Sequence, residues 1–128
     1  KVIAGKFEKA EGPEKGHNVD PIYFHVILEE RKEFKCDVPS GHNSFVYLLA
    51  GDLSIGENKH DKTSNSNLIL LDRGDKLIVK ANKKSEFLFI AGKPIGEPIA
   101  RGGPFVMNTK AEILQAVQDY HNGTFAKY

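Results

Sequence analysis

The sequence predicts an all-β fold, a sandwich or barrel of short strands closed by one helix, and three observations carry that prediction. Seven or eight apolar runs of strand length follow one another through residues 2–90, punctuated by Gly, Pro, Asn, Asp and charged residues. No long helical pattern interrupts them. In residues 45–50, Phe45, Tyr47 and Leu49 alternate with Val46, Leu48 and Ala50, so both faces of that strand are apolar and both are expected to be covered.

Residues 2–7 form the first predicted strand, and Gly12-Pro13 with Gly16-His17-Asn18 marks the loop after it. Ile22, Phe24, Val26 and Leu28 point one way and Tyr23, His25 and Ile27 the other, which predicts a second strand. After a charged turn over residues 29–33, Phe34, Cys36 and Val38 alternate with Lys35 and Asp37, as on a strand with one face in water. The central strand is bounded by Ser40-Gly41 and Gly51-Asp52, and residues 53–55 read as a separate short partner. Residues 56–67 contain no apolar side chain and are predicted to be an exposed, mobile loop. Residues 68–71, 76–81 and 86–90 are three more strands, the last two separated by the polar residues 82–85. From Gly92 the composition changes: Pro94, Pro98 and Pro104 forbid a central strand, so residues 92–108 are expected to run extended over the surface or along an edge. Thr109 and Glu112 form a capping box for a helix over residues 110–121, with Ile113, Ala116, Val117 and Tyr120 on one side. The domain reading is one domain, with strands over about residues 1–91, the extended tail and the helix.

The chain has 128 residues, enough for one domain that buries roughly two-thirds of the surface its unfolded form exposes. Eighteen Lys and Arg against 17 Asp and Glu give a formal charge of +1, which makes no electrostatic case for nucleic acid or a membrane surface. A single cysteine, Cys36, excludes an intrachain disulfide and is compatible with a reducing compartment. No apolar run approaches the length of a membrane helix, and no signal peptide is seen. The sequence starts at Lys1 without an initiator Met, as expected of a piece of a longer product.

The stretch over residues 39–51 resembles the first motif of the cupin family, a small β-barrel of the double-stranded β-helix or jelly-roll type. That resemblance implies two His, a Glu and a closing Gly at fixed spacing. Counting back from Gly51, Ser44 takes the Glu position, Ser40 or Pro39 the second His, and Val38 or Asp37 the first. His42 is out of frame, and Asp37 alone offers a donor, a weak one. A second cupin motif anchored at Gly74 places Lys80 at its Pro, Asn82 at its Gly and Ser85 at its remaining metal-binding His. Serine hydroxyls do not replace imidazole or carboxylate at an iron or zinc site. The expectation is a cupin barrel without the cupin metal.

A more specific resemblance lies further on. Gly92-Lys93-Pro94, Gly96-Glu97-Pro98, the run Gly103-Pro104-Phe105-Val106-Met107-Asn108-Thr109 and the helix ending Asp119-Tyr120-His121-Asn122-Gly123 are similar to the C-terminal domain of the pirin family. Gly12-Pro13, Tyr23-Phe24-His25, Gly41-His42-Asn43 and Phe45-Val46-Tyr47 match the preceding part of that domain. The resemblance implies a two-cupin parent whose N-terminal barrel holds iron through three His and a Glu, while the second barrel lacks ligands. It implies a parent resembling an iron-dependent quercetin 2,3-dioxygenase or, in nuclear relatives, a redox-sensing transcriptional cofactor. The expected role here is a metal-free structural and partner-docking half, not an enzyme by itself, with no cofactor in this chain and iron in the absent N-terminal cupin. The expected partners are that cupin, another protein and a flavonol-like small molecule, with no nucleic acid and no membrane. The expected location is cytoplasmic, or nuclear in a eukaryote. The alternative is a free-standing small-molecule-binding cupin with no catalytic metal.

No catalytic or metal-binding residue is assigned. The pocket candidates are His25, which with Tyr23 and Ile27 would line the barrel interior, and His42, Asn43 and Tyr47 at the mouth of the central strand. Their bland readings are a hydrogen-bonded structural histidine and a turn-shaping pair. A site built from His17, His25 and His42 has no support in spacing. His17, His60 and His121 are expected to be solvated, and Cys36 to be a small core residue. Gly92-Lys93 lacks the rest of a phosphate loop, and Asn122-Gly123-Thr124 is read as a chance glycosylation match. Ile95, Ile99, Phe105, Val106 and Met107 are the interface candidates, because a free loop does not need so many apolar side chains.

Overall fold

The computed structural model describes residues 1–15, 18–56, 61–64 and 67–126, with the backbone alone described over residues 61–64. It divides into two compact units, Lys1–Pro94 and Ile95–Tyr128.

The first unit is all β. Its strands are β1 (Val2–Ala4), β2 (Lys6–Phe7), β3 (Ala10–Glu11), β4 (Ile22–Leu28), β5 (Glu33–Asp37), β6 (Asn43–Ile55), β7 (Asp61–Ser64), β8 (Leu68–Leu71) and β9 (Lys76–Gly92). Strands β6 and β9 pair antiparallel along most of their length and form the spine. The first part of β6 pairs with β8 and the second with β7, while β5 lies on the first part of β9 and β4 on the second. The resulting seven-stranded sheet runs β1-β4-β9-β6-β7, with β5 and β8 paired alongside. It folds over one core in the manner of a cupin β-sandwich, and its strands do not close into the expected barrel.

Two boundaries differ from the sequence reading. Residues 45–50 and 53–55 are one strand, and so are residues 76–81 and 86–90. The reason is a bulge, which lets β6 bend without ending. Gly51 sits there at φ +107°, and a Cβ on it would lie 2.2 Å from Ser85 Oγ and 2.5 Å from Ser85 Cα. The buried Ser85 hydroxyl accepts the Asp52 N–H at 3.0 Å and donates to the Lys83 carbonyl at 2.7 Å, satisfying groups the bulge takes out of the ladder. The loop expected over residues 56–67 contains β7, paired with residues 52–55, because a backbone ladder needs no apolar side chain. Residues 57–60 and 65–66 lie outside the described residues.

Even-numbered positions of β4 and odd-numbered positions of late β9 face inward. Phe24, Phe87, Phe89, Val46, Leu48, Leu53 and Val79 are fully buried or nearly so, each side chain worth about 1.5–3 kcal/mol relative to exposure. Phe7 stacks on Phe34 with centroids 5.2 Å apart, and Phe34 meets Phe87 edge-on at 5.9 Å.

The second unit holds β10 (Ala100–Gly102), β11 (Phe105–Met107) and α1 (Lys110–His121). The expected extended tail therefore includes a hairpin, turned at Gly102-Gly103-Pro104, and its three prolines all lie outside strands. Gly102 lets the hairpin approach the helix, since a Cβ there would lie 2.4 Å from Ile113 Cγ2. The capping box forms as predicted: Thr109 Oγ1 accepts the Glu112 N–H at 3.2 Å, and Glu112 Oε2 accepts the Thr109 N–H at 2.7 Å. Asn108 ties the preceding segment to this cap, donating to Glu97 Oε2 and the Pro98 carbonyl, both at 2.9 Å.

Candidate functional site

The four pocket candidates occupy different settings. His42 lies in the turn before β6 with 8% of its surface exposed. Its Nε2 is 3.0 Å from the Asp20 carbonyl, an acceptor, so Nε2 carries a proton, and Nδ1 is buried with no hydrogen-bond partner among the described residues. Asp20 sits at φ +45°, and the bond from His42 pins that turn. Asn43, the next residue, is exposed. His25 and Tyr47 both register with Leu88 and so share a row of the sheet, one on β4 and the other on β6. That row is on the outside. The expectation that Tyr23, His25 and Ile27 line the interior is overturned, because Ile22, Phe24 and Leu28 take the core side. A cleft of about 650 Å³ opens near Asp20, but its walls come from Lys6, Glu11, Lys15, Asp20, Asp37 and neighbouring residues, not from the four candidates.

The interior chemistry does not fit a metal. The side chains filling it are Phe, Leu, Val, Ile and Ala with buried Cys36, while Asp37 is exposed, Ser85 is committed to the bulge and His42 to Asp20. Among the described residues no group of three His, Cys, Asp or Glu is placed to hold a metal ion. His17 and His60 lie outside the described residues; His25 and His42 belong to the outer face and to a buried turn, and His121 Nδ1 lies 2.9 Å from the Val117 carbonyl. Burial, with Asp37 adding to it, pushes the Cys36 thiol up to about 11, the opposite of what a reactive cysteine needs.

A further feature is the outer face of β4, β9, β6 and β8. Cross-strand register aligns Leu68, Tyr47, Leu88 and His25 in one row and Leu70, Phe45, Ile90 and Tyr23 in the next. Ile27 is 60% exposed, Leu68 56% and Leu70 77%, with Tyr47 and Leu49 also open to solvent. About six residues on each of β4, β9 and β6 and the four of β8, at about 4.8 Å between strands and about 3.3 Å per residue, give a footprint of roughly 350 Å², in the size range at which an apolar patch marks an interaction site. Within it, His25 Nε2 lies 2.7 Å from Glu86 Oε1. The expectation that both faces of the central strand are covered holds for the inner face only. The signal for this surface was present in the sequence as apolar residues on both faces of β4, β6 and β9, but which face was inner could not be read.

In the second unit, Phe105, Met107, Ile113, Val117 and Tyr120 help line an apolar cleft of about 690 Å³. Of the interface candidates, Ile95, Ile99 and Val106 are exposed, while Phe105 and Met107 are half-buried.

Comparisons with known proteins agree with these observations. The Pirin C-terminal cupin domain family matches residues 23–126. A pirin-like protein of Caulobacter vibrioides is 36% identical over 126 residues, covering 98% of this chain and 45% of that protein. Pirin of Homo sapiens is 38% identical over 104 residues, covering 79% of this chain and 36% of its own length. The crystal structure of a quercetin 2,3-dioxygenase from Acinetobacter baumannii superposes with a TM-score of 0.85 at 32% identity, over 98% of this chain and 43% of that one. The chain thus spans less than half the length of the curated relatives it matches. The match over residues 23–126, joined to the bent β6–β9 spine and the capped C-terminal helix, places this chain in the pirin family as its C-terminal cupin domain.

Proposed function

We propose that this domain is the metal-free, structural half of a pirin-like protein, and that its outer sheet face seats the N-terminal cupin of the same parent. The observation that carries the reading is the apolar outer face, exposed on a chain less than half as long as its relatives. An uncovered face of this size costs solubility, and a second cupin supplies a sheet to cover it. In the second unit, the exposed Ile95, Ile99 and Val106 offer apolar side chains of their own to a partner. The likeness to a quercetin 2,3-dioxygenase suggests that the parent opens flavonols. An interior in which the described residues gather no set of metal ligands leaves that chemistry, and any iron, to the other half; a flavonol or a further protein meets the assembled parent, in the cytoplasm or a nucleus.

The test compares residues 1–128 with the parent protein, each purified from iron-containing medium. The isolated domain is expected to carry substoichiometric metal, to leave quercetin unconsumed and to show no thermal shift with it. A full equivalent of iron, nickel, copper or zinc in the isolated domain overturns the reading.

A further inference from the structure

Within the two rows of apolar residues on the outer face, a polar pair joins β4 to β9. His25 of β4 and Glu86 of β9 are diagonal neighbours: His25 registers with Leu88 and Glu86 with Ile27. Their side chains meet at 2.7 Å and are 28% and 42% exposed. Around them on the same face stand Tyr23, Ile27, Leu88 and Tyr47. Resting on the docking reading above, we propose that the His25–Glu86 pair is the specificity element of this face: a self-satisfied polar pair that the correct partner buries intact.

The physics is one of asymmetry. At a partly exposed surface such a pair contributes little, because water serves either group nearly as well. Under a covering sheet each group loses that water. The bond between them then becomes the polar partner available within this face, and any seating that pulls the two apart leaves a buried, unpaired group. The pair therefore penalises wrong arrangements more than it strengthens the right one, as expected of a device that sets register. A purely apolar patch of this kind would slide.

The test uses the parent protein with a protease site placed in the segment ahead of Lys1. After cleavage, dissociation of the two halves is followed by dilution and sedimentation. His25→Leu and Glu86→Leu are each expected to raise the dissociation constant by ~100-fold, since each leaves its partner buried and unpaired. The double replacement, which removes both polar groups, is expected to return to within about threefold of the unaltered protein. In the isolated domain, all three variants are expected to melt close to the parent domain, which excludes misfolding as the cause. A double variant as weak as the singles, or singles without effect, overturns the role of the pair. The docking reading itself is tested by Tyr47→Asp with Leu88→Asp. If those leave the halves as tightly joined as before, or if the unaltered halves do not associate, the face is not the seat and both readings fall.

Discussion

Replacing Gly51 by alanine strikes the bend on which both lobes of the sheet depend. At φ +107° an L-residue is held in a region that glycine alone occupies comfortably, at a cost of about 1–3 kcal/mol. The new Cβ would then stand 2.5 Å from Ser85 Cα, a backbone atom of β9 that cannot swing aside. Forced overpacking of this kind adds about 1–3 kcal/mol, so the total is roughly 4 kcal/mol. That is a large share of the ~5–15 kcal/mol that stabilises an ordinary domain, and lowers the melting temperature of a chain this size by about 10–20 °C. Gly56→Ala is the internal control, because Gly56 also has a positive φ, +83°, yet nothing lies within 4 Å of an added Cβ. Its loss is expected to stay near the backbone cost, about 1–2 kcal/mol. Urea unfolding and calorimetry of both variants decide the matter. Equal losses would refute the claim that the close approach of β6 to β9, and not glycine's freedom alone, fixes this position.

Two further outcomes are expected. Thr109→Ala removes the hydroxyl that accepts the Glu112 N–H and should cost about 1 kcal/mol, visible as faster amide exchange in the first turn of α1; unchanged exchange would mean the cap is idle. Cys36 is 7% exposed with its thiol raised from 9.0 to about 11, so the fold holds the protonated form. Its contribution is complete below pH 9 and fades as pH climbs toward 11, by roughly 2–3 kcal/mol in all. Cys36→Val, compared with the unaltered protein across that window, should flatten the decline, and rapid alkylation of folded protein at pH 8 would contradict the assignment.

What could be read from residues alone followed the range of the forces involved. The capping box and the end of α1 are set by neighbours within four positions, and both were legible. Alternation in β4 and β5 was legible too, because the two-residue period is local. Which side of β4 faces the core was misread, although Ile22, Phe24, Val26 and Leu28 carry no polar group while Tyr23 and His25 stand on the other side; the polar side was given to the interior as a candidate pocket. Gly51 looked like a terminator because a bulge glycine and a turn glycine carry the same letter; only Ser85, 34 positions away, distinguishes them. His42 looked like a pocket residue for the same reason, its partner being the Asp20 carbonyl 22 positions back. The family likeness supplied what local pattern could not.

The arrangement of β9 has a consequence for how the chain is made. Strand β5 pairs with β9, and β4 pairs with β1 and β9. During synthesis from the amino end, β5 cannot pair with β9 until residue 80 has left the ribosome, nor β4 until residue 91 has, and Phe24 and Phe34 stay without the β9 side of their core until then. Only then can the sheet assemble, in one non-local step whose speed is governed by loop closure. A ribosome stalled inside residues 76–92 would release a sticky precursor, and chaperone capture of such truncated products should rise sharply for stops placed before Phe87.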